Sequence, residues 1–417
     1  MGAQNGLFQS MKNFMPAKRG NTWADKTPIK DILRKKCESQ IYKLAFSLHT
    51  LQAAYPLFSK RAADVLFDSF ASGGRVNCNQ FFEALWSSGI IRTDPRIKDC
   101  YSLMRKLQEA DGTVDRSMFH RCVTGFVSFI LKALQGRFVI PDFSTFAEET
   151  QKLFIKCKQL SSVKEKEDVG DSGTKWGISV CTVDGQRLSL GDWAEPCTLG
   201  EISWPLIYGL AVDQQGSDYV HRYVGMEEYS KYESLFTLTK QEVTCESGAA
   251  LAATLANGGL CPLSGDQVMS PHAVRSTLTM MQVAGMNDYS RAFHFRVSVP
   301  AKSSQSGVVL MVVPAVLGLM CWSPGLDCNG NSWRSVHFCE GYQIMNVLLA
   351  AYRGDLVSLR RYLLSGADVN AVDYDGRSAL HVAASEGRLD VIRFLVENAG
   401  ANCHLKDRNN VCHVDLT

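Results

Sequence analysis

The sequence has little net charge, no long unbroken apolar run and no closely spaced cysteine pair. Forty-four basic against 42 acidic side chains leave a formal charge of +2. A field that weak does not steer a chain to nucleic acid or to an acidic surface. The longest apolar stretch, "GVVLMVVPAVLGLMCW" (307–322), is shorter than the ~20 residues a bilayer span needs and is interrupted by Pro314 and Gly318. It reads as two buried strands joined by a turn. The 14 cysteines include no C-x-x-C motif, and no secretory signal precedes them, which fits free thiols in a reducing compartment. The first 24 residues hold Lys12, Lys18 and Arg19 but no acid. That is a faint likeness to a mitochondrial presequence, without its Arg-rich amphipathic pattern. Gly2 is present but Gly6 stands where N-myristoylation expects Ser or Thr.

What is present reads as several folding units, as a chain of 417 residues should. Residues 1–27 form a basic N-terminal segment. In 28–157, "AADVLFDSFA", "NQFFEALWSSG", "RIKDCYSLMRKL" and "RSMFHRCVTGFVSFILKAL" repeat apolar residues at helical spacing, with Gly and Asp-Gly turns between them. This is a helical bundle with two EF-hand-like loops. Taking Gly74 and Gly112 as the sharp-turn glycines puts Ser69 and Leu107 first and Gln80 and Met118 last. The obligatory acids are missing, so calcium is not expected and the loops read as ordinary turns. Residues 158–175, "KQLSSVKEKEDVGDSGTK", are a charged linker. From 176 to 340 the chain reads as α+β. "KWGISVCTVDGQRLSLGD" is a hairpin about Asp184-Gly185, and "EVTCESGAALAATLANGG" is a helix closed by Gly258. "SPHAVRSTLTMMQVAGM" is a helix with Ser270 as N-cap and Pro271 at its first position. "AFHFRVSVPAKSSQSGVVLMVV" reads as returning strands.

Residues 345–417 hold an internal repeat. "LLAAYRGDLVSLRRYLLSGADVN" and "LHVAASEGRLDVIRFLVENAGAN" align Gly354 with Gly387, 33 residues apart, and "DGRSALHVAA" is close to the ankyrin turn signature. Such repeats bury their faces against neighbours and need about three copies to stand alone, so this pair is expected to lean on another surface. The Cys-His pairs at 403–404 and 412–413 lack the spacing of a zinc site. No metal or other cofactor is expected.

Together with this order of domains, "SVCTVDGQR", "YVHRYVG", "EVTCES", "AATLANGG", "VPAKS" and "MCWSP" resemble the animal kidney- and liver-type glutaminases, in blocks from about residue 28 to 410. The resemblance implies a multidomain α and α+β chain: an EF-hand-like bundle, a β-lactamase-like, serine-dependent glutaminase domain and C-terminal ankyrin repeats. It implies hydrolysis of L-glutamine to glutamate and ammonia by a homotetramer that inorganic phosphate activates. The location implied is mitochondrial, or cytoplasmic if the N-terminus is not imported.

The chemistry needs a serine with a lysine one helical turn on, S-x-x-K, because a hydroxyl is a poor nucleophile without an adjacent base. Matching "TLGEISWPLIYGLAV" to the family segment puts Glu201 at the nucleophile position and Trp204 at the lysine position. Neither side chain can take those roles, and Ser203 has no base beside it. The tyrosine of the family's "GMYDFS", a proton carrier, falls on Asn287, and an amide does not shuttle protons. Tyr289 would face the same way if the segment were extended. The family's "PAKSG" reads Pro300-Ala301-Lys302-Ser303-Ser304, and the next position, whose backbone N–H serves the oxyanion hole, is Gln305. Lys302 reads as a retained structural residue.

After "YESLFTLTK" the chain passes straight to "QEVTCES", without the block that grips glutamine in the family. Further joints precede "KWGISV" and follow "SVHFCEG". Two literal S-x-x-K matches, Ser161/Lys164 and Ser172/Lys175, lie in the linker. Leu235 and Phe236 match the family's tetramer-contact loop and read equally as an oligomer contact or as local core. Three functional readings follow: an impaired or inactive glutaminase-family member acting through homo- or hetero-assembly, an active glutaminase using other residues, and an ankyrin-based protein-binding module.

Overall fold

The computed structural model describes residues 55–159, 175–222, 242–364, 367–372, 376–407 and 412. The basic N-terminal segment, nearly all of the linker with both of its S-x-x-K matches, and the Leu235-Phe236 loop lie outside the described residues. Those described fall into two compact units, one drawn from Ala17–Ala147 with Asp184–Arg187, the other from Glu148–Val183 with Leu188–Thr417.

The first unit is helical. Helices α1 (Tyr55–Phe70), α2 (Cys78–Trp86), α3 (Lys98–Leu107), α4 (Arg116–Val123) and α5 (Val127–Leu134) bury one apolar core. Phe81 is at its centre, edge-on to Phe70, Phe82 and Phe119. Asn77 and Asp115 cap α2 and α4 through their side chains, supplying acceptors that helix N-termini lack. The expected ordinary turns are more than that. Short strands β1 (Ala71–Ser72), β2 (Arg75–Asn77) and β3 (Thr113–Val114) form a three-stranded sheet that joins the two loops, with Val76 opposite Val114. Two- and three-residue strands carry too few residues for a period-2 pattern to show in sequence. The turn residues Asp184–Arg187 belong to this unit, where Arg96 donates to the Asp184 carbonyl at 2.6 Å and Gln186 donates to the Ser88 carbonyl at 2.8 Å.

Helix α6 (Phe143–Gln159) leads to the second unit, built on a five-stranded sheet of order β5-β4-β10-β9-β8. Its strands are β4 (Gly177–Thr182), β5 (Arg187–Gly191), β8 (Ala301–Ser303), β9 (Val308–Val313) and β10 (Leu317–Trp322). A two-stranded pair, β6 (Cys197–Thr198) and β7 (Glu242–Val243), stands apart from it. Strands β4, β9 and β10 are buried at every position, so both faces of the sheet are covered. On one side lies α9 (Cys245–Ala256), after α7 (Ser203–Gln215) and α8 (Ser217–Val220) in the chain. The other side meets α12 (Trp333–Arg353), whose Phe338 packs edge-on to Trp176. The long apolar run is the β9–β10 hairpin, turning through Ala315 at φ +60°. Helix α10 (Pro271–Ala284) begins as its sequence indicates, with Ser270 accepting from the Ala273 N–H and Pro271 in the first turn.

One element differs from expectation. "SRAFHFRV" is helix α11 (Ser290–Val297), not a strand. The alternation of Phe293, Phe295 and Val297 suggests a period of two, yet the buried members, Phe293 and Val297, are four apart and Phe295 is 85% exposed. Four-residue spacing is the helical one.

Helix α12 is continuous for 21 residues, so no loop separates the sheet unit from the repeats at 340–345. Its last turns serve as the first repeat helix, followed by α13 (Leu356–Leu364), α14 (Ala379–Ser385), α15 (Leu389–Arg393) and a π turn over Phe394–Asn398. The aligned glycines Gly354 and Gly387 both take positive φ, +76° and +63°, ending equivalent helices in a conformation that favours glycine.

Candidate active site

The turn that carries Glu201 follows β6. Gly200, at φ +55°, begins a 3₁₀ turn over Gly200–Ile202 that runs into α7. A Cβ at Gly200 would lie 2.3 Å from Ser304 Oγ, so both the backbone conformation and the close approach call for glycine. Pro205 sits in the first turn of α7, where its missing N–H breaks no helical hydrogen bond. Buried Ser203 donates its hydroxyl to the Gly200 carbonyl at 2.7 Å, which makes it a brace of the turn.

Glu201 leaves this turn toward the loop after β8. Its Oε2 accepts from Ser304 Oγ and, at 3.2 Å, from the Gln305 backbone N–H. Ser306 donates its hydroxyl to the Thr198 carbonyl at 2.6 Å, and its N–H to Ser304 Oγ at 3.2 Å. Trp204, on α7, meets Lys302 in the middle of β8. Lys302 Nζ lies 5.7 Å from the Trp204 ring centroid, a cation–π contact, and Lys302 is 6% exposed. The Trp204 indole N–H is buried and lacks a hydrogen-bond partner among the described residues.

Two of the sequence-derived positions, Glu201 and Gln305, therefore touch, and Trp204 joins them through β8. Asn287 is held elsewhere on the same strand's flank. At φ +53° it begins a 3₁₀ turn, Asn287–Tyr289, and its amide donates to the Asn329 carbonyl at 3.1 Å and to Asn331 Oδ1 at 3.3 Å. Asn331 Oδ1 also accepts from Ser303 Oγ. The segment is thus a turn and not extended, so the condition under which Tyr289 would share the direction of Asn287 is not met. The Tyr289 hydroxyl donates to Glu340 Oε1 at 2.8 Å. Burial first, then the Glu340 charge, push its pKa up to about 12, so it holds its proton through the neutral range.

The chemistry available follows from these bonds. The Gln305 N–H, expected from the resemblance to serve an oxyanion, is given to the Glu201 carboxylate. Ser203 and Ser304 both spend their protons on internal acceptors. Ser304, Ser306 and Thr198 escaped sequence reasoning because their partners lie far off in the chain. The legible signal was a serine at 304 where "PAKSG" has glycine, which adds the hydroxyl that meets Glu201.

Comparison with known proteins agrees with this architecture. The Glutaminase family model matches residues 170–243 and 230–343, two overlapping pieces, an EF-hand domain model matches 62–141, and an ankyrin-repeat model matches 347–396. The mitochondrial liver-isoform glutaminase of Rattus norvegicus is 34% identical over 481 aligned positions, which cover 84% of this chain and 80% of that protein. The Mus musculus liver isoform is 33% identical over the same extent. The aligned stretch of 481 positions exceeds the chain's own 417 residues, so it passes over blocks that this chain does not have. Glutaminase 1 of Bradyrhizobium diazoefficiens is 47% identical over 98 residues, 24% of this chain and 16% of that protein. Among solved structures, the probable glutaminase ybaS gives a TM-score of 0.43 at 19% identity, covering 48% of this chain and 96% of that one. On its identity and coverage with the mammalian liver isoforms, the chain belongs to the glutaminase family.

Proposed function

We propose that this chain is a glutaminase-family member that does not hydrolyse glutamine and acts as a binding subunit, by assembly with glutaminase subunits or with itself. One observation carries the reading: the Glu201 carboxylate, at the position that the resemblance assigns to the family nucleophile, takes the Gln305 N–H for itself. Losing nucleophile and base together costs on the order of 10⁶ in rate in triad-type enzymes, and Trp204 cannot replace the base. The missing glutamine-gripping block acts in the same direction. Inorganic phosphate is then without effect. Leu235 and Phe236 supply the assembly contact, the ankyrin repeats bind a protein partner, and the location is that of the mitochondrial relatives.

The test is ammonia release from glutamine, with phosphate, by the purified chain and by a Glu201→Ser plus Trp204→Lys variant, together with co-elution with a catalytic glutaminase subunit on size exclusion. Neither form is expected to turn over, because Asn287 and the missing block stay unrepaired, while the subunits should co-elute. Turnover by the unmodified chain would overturn the reading. The Glu201–Ser304 pair, the carboxylate–hydroxyl contact in this turn, favours a second reading as base and nucleophile. Ser304, however, is only 1% exposed. Any turnover lost in Ser304→Ala but kept in Ser203→Ala would assign it there.

A further inference from the structure

The two loops of the helical unit pair at equivalent seats. Counting Gly74 and Gly112 as sixth in their loops, Val76 and Val114 are both eighth, and they face each other across the β2–β3 pair. The second loop retains Glu109, Asp111, Thr113 and Asp115 at its third, fifth, seventh and ninth places, where a calcium loop carries its oxygens. It lacks the first and last ligands, which are Leu107 and Met118. Three carboxylates left without a cation would repel one another.

A cation is present, and it comes from the first loop. Arg75 Nε donates to Thr113 Oγ1 at 2.7 Å, and Arg75 Nη2 pairs with Glu109 Oε1 at 2.6 Å. Thr113 Oγ1 passes the interaction on by donating to Asp111 Oδ1 at 2.7 Å, and Asp111 Oδ1 also accepts the Thr113 N–H at 3.0 Å. Asp115 caps α4 by accepting the Met118 N–H at 2.8 Å. The bond to Glu109, and the charges of Glu109, Asp111 and Asp115, hold the guanidinium above its ordinary pKa against a smaller opposing effect of burial. One guanidinium thus engages a third-seat carboxylate and a seventh-seat oxygen of the neighbouring loop. A planar fork can hold two acceptors in fixed directions, which a point charge cannot.

We propose that Arg75 is the resident cation of the paired loops: it neutralises and orders the second loop where an EF-hand takes calcium, and holds the helical unit in one state whatever the calcium level. An isolated surface pair would not do this, since such pairs contribute little. The difference lies in the second bond through Thr113 to Asp111, which ties the loop's own turn to the same guanidinium.

Amide hydrogen exchange of the full chain, in chelator and in millimolar calcium, tests the proposal. In the unmodified chain, exchange over residues 69–80 and 107–118 is expected to be the same in both conditions. Arg75→Met should speed exchange at Thr113 and its neighbours by roughly tenfold or more, with calcium failing to restore it, while helix α5 keeps its protection. Arg75→Lys should recover part of the loss, and Glu109→Gln should speed the same amides. Slower exchange with calcium in the unmodified chain would overturn the proposal, since the loop would then take the metal despite Arg75. So would unchanged exchange in Arg75→Met, or a loss of protection across the unit in that variant with none in Glu109→Gln.

Discussion

The Glu201 carboxylate ties its own turn to a distant loop by accepting from Ser304 Oγ and the Gln305 N–H. Glu201 and Ser304 are 103 residues apart in sequence and bonded, so each side chain gives the other a partner. A bond to a charged group contributes about 1.5–3 kcal/mol, so Glu201→Ser should lower unfolding stability by about 1.5 kcal/mol in a denaturant titration. Ser304→Gly made on top of it should cost less than it does alone, with a coupling above about 0.5 kcal/mol; strict additivity would show that the two do not interact. A second residue-scale prediction concerns Asp94, whose side chain is fully buried against Arg96 at 2.8 Å and Arg187 at 3.2 Å. Burial pushes the Asp94 carboxyl up, but its bonds to Arg96, with Arg187 behind, outweigh this and hold it below the usual range. A lowered folded-state pKa gives stability that is present above the unfolded value near 4 and is lost as pH falls through the folded value. Asp94→Asn should therefore cost about 3 kcal/mol at neutral pH and flatten the acid limb of a stability-against-pH curve. At this scale Glu201, Trp204 and Gln305 could be singled out from sequence because they sit inside recognisable blocks, and the structure brings them near β8. Their hydroxyl neighbours could not, because a hydrogen bond between distant segments leaves no local pattern.

Elements were easier to read than their pairings. The hairpin about Asp184-Gly185, the β9–β10 run and the Ser270 cap follow from turn chemistry and apolar runs alone. Helix α11 was misread because three alternating apolar residues fit a strand as well as they fit a helix until burial is known. The approach of α9 to β10 was hidden for another reason: "AALAATLA" and "LGLMCW" show small residues but not what they admit. A Cβ on Gly318 would come within 2.1 Å of the Ala253 backbone nitrogen, and a helix backbone cannot give way as a side-chain tip can. Gly318→Ala is thus expected to cost about 3 kcal/mol, at the upper end of overpacking changes. Gly248→Ala should be milder, since its nearest neighbour is the flexible Met320 thioether. Equal midpoints for the two variants in urea would contradict this account of the α9–β10 contact.

For the whole molecule, the decisive element is α12. Its first half carries Phe338, Cys339 and Tyr342 into the core, and its second half buries Val347, Leu348, Ala350 and Ala351 among the repeat helices α13 and α14 that pack on it. The Arg388 side chain, at the start of the second repeat's outer helix, donates its Nε–H to the Tyr352 carbonyl at 3.0 Å, so a side-chain bond also stitches the two repeats. The sequence told that two repeats are too few to stand alone, but not which surface they use, because the supporting helix begins outside the repeat's own period. Repeats that share a helix with their support should not fold without it. The fragment 345–417 is therefore expected to lack a cooperative thermal transition in circular dichroism, and deletion of 354–417 should lower the melting temperature of what remains by baring the second half of α12. A sharp transition in the isolated fragment, or an unshifted one in the shortened chain, would mean that α12 contributes to each side separately and that the repeats are a self-standing module.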